Sequence, residues 1–213
     1  AGEVRCWGAK DAGQIADELA LTTLHGATAI AAGGDGTCAV LADRTVRCWG
    51  KIPGRGVIGV TPIEGLADVT GVALGESHVC AVKAWGGVAC WGKNGEGELG
   101  DGSFTDRIQP IDVMGLSASA RAVAVGRTHT CALLAEGTIR CWGGNTNSQL
   151  ADGTHGHRAS PALVQGLFEV QGLDVAGDAT CARFTDGSAR CWGGLQLPKT
   201  EGAHVPVPTE VRW

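Results

Sequence analysis

The chain has 213 residues, 44% of them hydrophobic, with 35 glycines and only 7 prolines, which is enough for one sizeable domain and too apolar for a disordered segment. A formal net charge of -5, a pI of about 5.6 and no cluster of Lys and Arg argue against a nucleic-acid partner, because phosphate binding draws on clustered cations. With no run of roughly 18 apolar residues the chain is read as not inserted in a membrane, and its N-terminus lacks the charged and apolar regions of a signal peptide.

In chain order, the first phrase is GEVRCWG (2 to 8), the second half of a hairpin without its first half. Residues 9 to 29 form a connector of mixed signals, in which Gln14 to Leu24 has room for one or two helical turns. Ala29 to Leu41 reads as a short apolar strand, a break at Gly33-Gly34 and the start of the first full hairpin, TCAVLADRTVRCWG (37 to 50), where Arg44 stands in place of the glycine of the other hairpins. Residues 51 to 60 are a shortened, glycine-rich connection, and Thr61-Pro62-Ile63 restarts an extended segment. Strands over Val69 to Leu74 and Val79 to Val82 lead into VCAVKAWGGVACWG (79 to 92), with Trp85 exposed at its tip. The two fullest connectors, 93 to 116 and 144 to 167, carry Asn94 and Asn145, Leu99 and Leu150, Asp101 and Asp152, Arg107 and Arg158 in register. Short apolar strands follow them at Ala122 to Val125 and Val170 to Val175. The third and fourth hairpins are THTCALLAEGTIRCWG (128 to 143) and TCARFTDGSARCWG (180 to 193), and the chain ends in the extended segment HVPVPTEVRW (204 to 213).

The recurring phrase decides the architecture before any single motif does. Its tryptophans, Trp7, Trp49, Trp91, Trp142 and Trp192, lie 42, 42, 51 and 50 residues apart, and each repeat supplies about four short strands. A three-residue loop at Ala135-Glu136-Gly137 would face Leu134 with Thr138, Leu133 with Ile139 and Cys131 with Cys141, at a separation a disulfide can close. The same spacing pairs Cys38 with Cys48, Cys80 with Cys90 and Cys181 with Cys191, and leaves Cys6 over, its partner falling about four positions before residue 1. Disulfides, rather than reduced core thiols, are the expected state of these pairs, and they place the chain in an extracellular, oxidising setting, on a longer precursor or with its leader already removed. Along the third hairpin both faces are apolar, so its sheet must be sandwiched between neighbours, as propeller blades are.

Candidate chemistry is sparse. Paired carboxylates such as Glu96, Glu98 and Asp101 suit acid/base work, but Asp101 recurs as Asp152, which favours a turn-forming role. The Asp-Gly-Ser and Asp-Gly-Thr loops lack the further ligands of a calcium site, and cysteines ten apart on facing strands do not suit zinc. His78 and His129 share a repeat position before a cysteine strand and read as hydrogen-bonded structural residues, whereas His155 and His157 do not recur. No nucleophile-elbow phrase is present. The expectation is a non-enzymatic protein with no catalytic residues, no metal and no cofactor.

The phrases GRTHTCALLAEGTIRCWGGNTNSQLADGT and GESHVCAVKAWGGVACWGKNGEGELGDGS resemble the repeat of the regulator of chromosome condensation family, in the cysteine-paired form of secreted bacterial proteins. The resemblance covers nearly the whole chain and implies an all-β fold, a β-propeller of four-stranded blades. Here that means a single domain over 1 to 213, with about four full blades and a partial fifth formed by the chain ends, 1 to 8 with 204 to 213, as a fragment of a longer propeller or a short ring. Unpaired end strands would then offer a route to association. Trp7, Trp49, Trp91, Trp142 and Trp192 are expected to be core wedges between blades. The function so implied is a binding scaffold that recognises a protein or another macromolecule through loops on one rim, with Glu96, Glu98, Phe104, Arg107, Asn147, His155, His157 and Arg158 as candidate contacts. The runner-up is a carbohydrate-binding or structural module of a larger cell-surface protein, for which only Trp85 and Trp213 are free as stacking aromatics. A third reading is an enzyme inhibitor of the β-lactamase-inhibitor type.

Overall fold

Each cysteine phrase folds as a hairpin because three residues join its apolar runs and the last of them takes a positive φ, 88° at Gly86, 81° at Gly137, 84° at Gly187 and 63° at Arg44. Arg44 thus fills a glycine position, helped by Asp43, whose Oδ1 accepts from Thr45 N at 3.0 Å and Thr45 Oγ1 at 2.7 Å. A computed structural model describes residues 2–7, 24–116, 119–194 and 205–211; the expected helical turns of 14 to 24 fall almost wholly outside these, as does Trp213.

The described residues form four antiparallel sheets of four strands, each in chain order. The first blade is β1 (Ala27–Gly33), β2 (Gly36–Leu41), β3 (Val46–Ile52) and β4 (Gly56–Pro62); the second is β5 (Val69–Leu74), β6 (His78–Lys83), β7 (Val88–Gly92) and β8 (Arg107–Asp112). The third is β9 (Ala120–Val125), β10 (His129–Leu134), β11 (Ile139–Gly143) and β12 (Arg158–Leu163); the fourth is β13 (Val170–Ala176), β14 (Ala179–Phe184), β15 (Ala189–Gly193) and β16 (Val205–Glu210). The expected register holds: Cys131 faces Cys141 and Leu133 faces Ile139, Leu134 N donates to Thr138 O, and all four cysteine pairs are disulfides. The first strands of successive blades pack side by side.

Alternation along β2/β3 and their counterparts sends side chains toward opposite neighbours, so each blade has a disulfide face and a tryptophan face. The disulfide face of one blade receives the tryptophan of the next. Cys38, Val40, Val46 and Cys48 pack on Val79, Ala81 and Trp91; Cys80, Val82, Val88 and Cys90 on Ala132, Leu134 and Trp142; Cys131, Leu133, Ile139 and Cys141 on Ala182 and Trp192. Trp49, Trp91, Trp142 and Trp192 are fully buried. Backbone bonds repeat across each seam: Val69 N donates to Arg44 O, Ala120 N to Gly86 O and Val170 N to Gly137 O.

Three expectations are corrected. Trp7 is not core; it is 87% exposed. The segment 2–7 lies against the first blade as a third strand would: Ala27 N donates to Gly2 O, and Val4 and Cys6 pack with Leu24 on Ala39, Leu41 and Trp49. Residues pointing that way are covered, and Trp7, the next along, points the opposite way. The partial fifth blade is replaced by a simpler arrangement, since β16 pairs with β15 and completes the fourth blade. The connection after Trp49 is shorter than 51 to 60, because β3 and β4 form a direct hairpin with Ile52 facing Gly56.

Candidate functional site

Strands alternate in direction, so the turns between first and second strands and the connectors between third and fourth strands share one rim. The two long connectors, 93 to 106 and 144 to 157, are built alike from one buried asparagine each. Asn94 Nδ2 donates to Ser103 O at 3.0 Å, Thr105 O at 3.1 Å and Asp101 Oδ1 at 3.2 Å, while its Oδ1 accepts from Leu99 N at 2.9 Å. Asn145 repeats this with Thr154 O at 2.9 Å, Asp152 Oδ1 at 3.1 Å and Leu150 N at 3.0 Å. A single amide thereby satisfies a loop that has no ladder of its own. The sequence places both asparagines in register, but their role as the loop's organising group is visible only in three dimensions.

Asp101 and Asp152 have the turn-forming role expected of them. Asp101 Oδ1 accepts from Ser103 N and Oγ, and its Oδ2 from Arg107 Nη2 at 3.0 Å and Nε at 3.1 Å. Asp152 accepts from Thr154 and pairs with Arg158. Burial pushes both carboxyls up, but the hydrogen bonds from Ser103, Arg107 and Asn94, and from Arg158 and Thr154, outweigh it and hold both below the usual carboxylate range. Arg107 and Arg158 thus brace their own loops and keep about two-fifths of their side chains in solvent.

Glu98 is corrected as a candidate contact: it is buried, and its place is the seam between the second and third blades. Its backbone O accepts from Trp142 Nε1 at 2.8 Å and Thr130 Oγ1 at 2.9 Å, and its carboxylate accepts from Glu96 N at 2.8 Å. Burial pushes this carboxyl up. Gln149 fills the same place in the next seam, its O accepting from Trp192 Nε1 at 2.8 Å and its Oε1 from Asn147 N at 2.8 Å. Leu99 and Leu150 are fully buried beside these tryptophans. Trp91 Nε1 has no partner among the described residues; the short β3–β4 turn supplies no carbonyl there.

His78 and His129 tie the same seams. His78 Nε2 lies 2.6 Å from Thr130 Oγ1 and His129 Nε2 2.8 Å from Thr180 Oγ1. Since the Thr130 hydroxyl proton is committed to Glu98 O, the His78 ring is the donor of its pair. Burial holds His78 down to about 3 and His129 to about 4, so both are neutral.

Among the residues that the connectors leave in solvent are the side chains in which the two loops differ. Phe104 is 56% exposed, and Thr105, His155 and His157 are exposed as well. The connectors touch: His157 Nδ1 accepts from Asn145 N at 3.2 Å and stands 3.8 Å from Glu96 Oε2, while Gly102 N donates to Ala159 O at 2.9 Å. His155 Nδ1 is 3.3 Å from Ser148 Oγ. Asn147 Nδ2 donates to Asp178 Oδ2 at 2.8 Å, and Asp178 also pairs with Arg127 from the neighbouring turn. Among the described residues, no group of three His, Cys, Asp or Glu is arranged to hold a metal ion and no helix is long and apolar enough to cross a membrane.

Comparison with known proteins gives the same architecture. Two family models, both described as the regulator of chromosome condensation (RCC1) repeat, match residues 27–51 with 120–149, and residues 86–133. Human WBSCR16 is 22% identical over 88% of this chain and 55% of its own, with a TM-score of 0.78. Yeast RCC1 (Prp20), solved bound to Kap60, is 19% identical over 96% and 58%, with a TM-score of 0.79. Prp20p from Saccharomyces cerevisiae, studied together with its binding to Gsp1p and histones, is 23% identical over 87% and 50%, with a TM-score of 0.69. The chain spans about half the length of these structures, and at such identities the likeness is one of fold.

Proposed function

We propose that this chain, which carries regulator of chromosome condensation repeats in a β-propeller, is a non-enzymatic scaffold that binds another protein through the rim formed by the 93–106 and 144–157 connectors. One observation carries the reading: two adjacent loops are locked from within by Asn94 and Asn145, yet they hold Phe104, Thr105, His155 and His157 in solvent. A large apolar ring fixed on a rigid, polar rim is the kind of anchor around which protein interfaces concentrate their energy, and rigidity lowers the entropy lost on docking. Yeast Prp20 is itself solved with a protein partner. Four disulfides suit an oxidising compartment, and we place the protein outside the cytosol.

The test is affinity capture from the extracellular protein fraction of the source organism, with the wild-type chain and a Phe104→Ala/His157→Ala variant run side by side. A protein held by the wild type and lost by the variant, at unchanged melting temperature, supports the rim. Equal capture by both overturns it.

A further inference from the structure

The four hairpin tips lie on the opposite rim, and three of them share one device. Asp43, Glu136 and Asp186 accept hydrogen bonds from Thr45, Thr138 and Ser188, two residues on, which braces the turn. The second blade breaks the pattern with Trp85 and Gly87 at those two positions. The ring of Trp85 folds back over Gly87 so closely that a Cβ there would lie 2.0 Å from it, and the residue stays 67% exposed. This hairpin lacks that side-chain brace and keeps a large aromatic two-thirds in solvent.

The ring borders a cavity of 280 Å³, near the lower end of small-ligand sites. Asp112 and Ser119 line it with polar side chains and Val113 and Leu116 with apolar ones, while the Gly86 N–H and the Gly86 and Gly87 carbonyls are taken up by Lys83 O, Ala120 N and Lys83 N. Lys83 stands 5.6 Å from the centre of the Trp85 ring and pairs with Asp112. The chain's own lysine therefore already supplies the cation that the ring and the carboxylate would attract, so a cationic ligand has no unmet charge to answer.

From these groups we infer that the Trp85 pocket is a binding site for a neutral saccharide, one pyranose ring stacking its C–H face on the indole. The sugar hydroxyls donate to Asp112 and to Ser119 Oγ, whose own proton points to Trp85 O at 3.4 Å. The site is on the other rim from the protein-binding connectors and stands or falls separately from them.

The test is titration of the isotopically labelled chain with cellobiose and with N,N′-diacetylchitobiose, following the indole N–H signal that disappears in Trp85→Ala. A saturable shift of that signal by either sugar, with a dissociation constant on the order of millimolar as suits one ring in one open pocket, supports the site. Asp112→Asn, which leaves the hairpin intact, is expected to weaken it roughly tenfold, about 1.4 kcal/mol. No shift from either sugar at roughly a hundred times that concentration overturns the proposal. A shift produced instead by tetramethylammonium overturns it in favour of a cation site. Signals elsewhere that move equally in Trp85→Ala also overturn it.

Discussion

Glu98 and Gln149 occupy one repeat position with different chemistry, which makes the seam a natural experiment at the scale of single residues. Both side chains accept the backbone N–H two residues earlier, from Glu96 and Asn147, so an amide does that work without a buried charge. Glu98→Gln is expected to leave the second seam intact and to raise stability by up to about 1 kcal/mol at neutral pH, measured by urea unfolding; a clear loss would show that the carboxylate has a role the geometry does not reveal. The seam histidines make a second case. Their folded values of about 3 and about 4 lie below an unfolded value near 6.5, so the unfolded chain binds the extra protons. Their contribution is full above pH 6.5 and is lost as pH falls through the folded values, with a slope of at most about 1.4 kcal/mol per pH unit for each ring. His129→Gln should flatten part of the decline in a pH series of melting temperatures, and an unchanged slope would mean that the ring titrates normally.

Among the elements, the cysteine hairpins are the most local part of the fold. Each disulfide joins directly opposed residues on adjacent strands and closes a loop only ten residues long, so it adds at most about 3 kcal/mol to a hairpin already specified by its turn. In denaturant without reductant one cysteine of the nine should alkylate, and that one is Cys6; after reduction all nine should. Intact mass decides it, and alkylation of several cysteines before reduction would mean that the pairs are thiols. The long connectors divide differently. Leu99, Leu150 and the asparagines belong to the core, whereas Phe104, Thr105, His155 and His157 face outward. Phe104→Ala should therefore leave the melting temperature nearly unchanged, while Trp142→Ala should cost roughly 3 to 5 kcal/mol, as large core truncations do. Equal losses would erase the distinction between tip and wedge.

Across the whole molecule, stability is expected to vary from blade to blade. In the second and third blades β6 and β10 are buried along nearly their full length, whereas in the fourth only Thr180 and Ala182 of β14 are buried and its other positions are half-buried or exposed. Where earlier disulfide faces carry Val40/Val46, Val82/Val88 and Leu133/Ile139, the fourth carries Arg183 and Ala189, and Arg183 is exposed. Amide exchange should be slowest in β6 and β10 and faster in β14 and β15, in keeping with the one-dimensional energetics of repeats. Uniform protection would show instead that the four blades open as one unit.

How much of this was legible in the sequence depends on how far apart in the chain the interacting groups lie. Hairpin register, cysteine pairing, the turn role of Asp101 and Asp152 and the exposed Trp85 could be read directly, because each depends on partners within about ten residues and on the two-residue alternation of a strand. Repetition then carried the sheet from one blade to four. The exposure of Trp7, the burial of Glu98 and the closing of the fourth blade by β16 could not be read. Their neighbours are 12 to 45 residues away, or on another blade, and which side of a strand is covered depends on whether a second sheet is there to cover it. The same holds for the pocket at Trp85: the tip phrase Trp-Gly-Gly is plain in the chain, but Asp112 and Ser119 reach it only after the blades have packed, since burial and concavity arise from packed sheets and from no single strand.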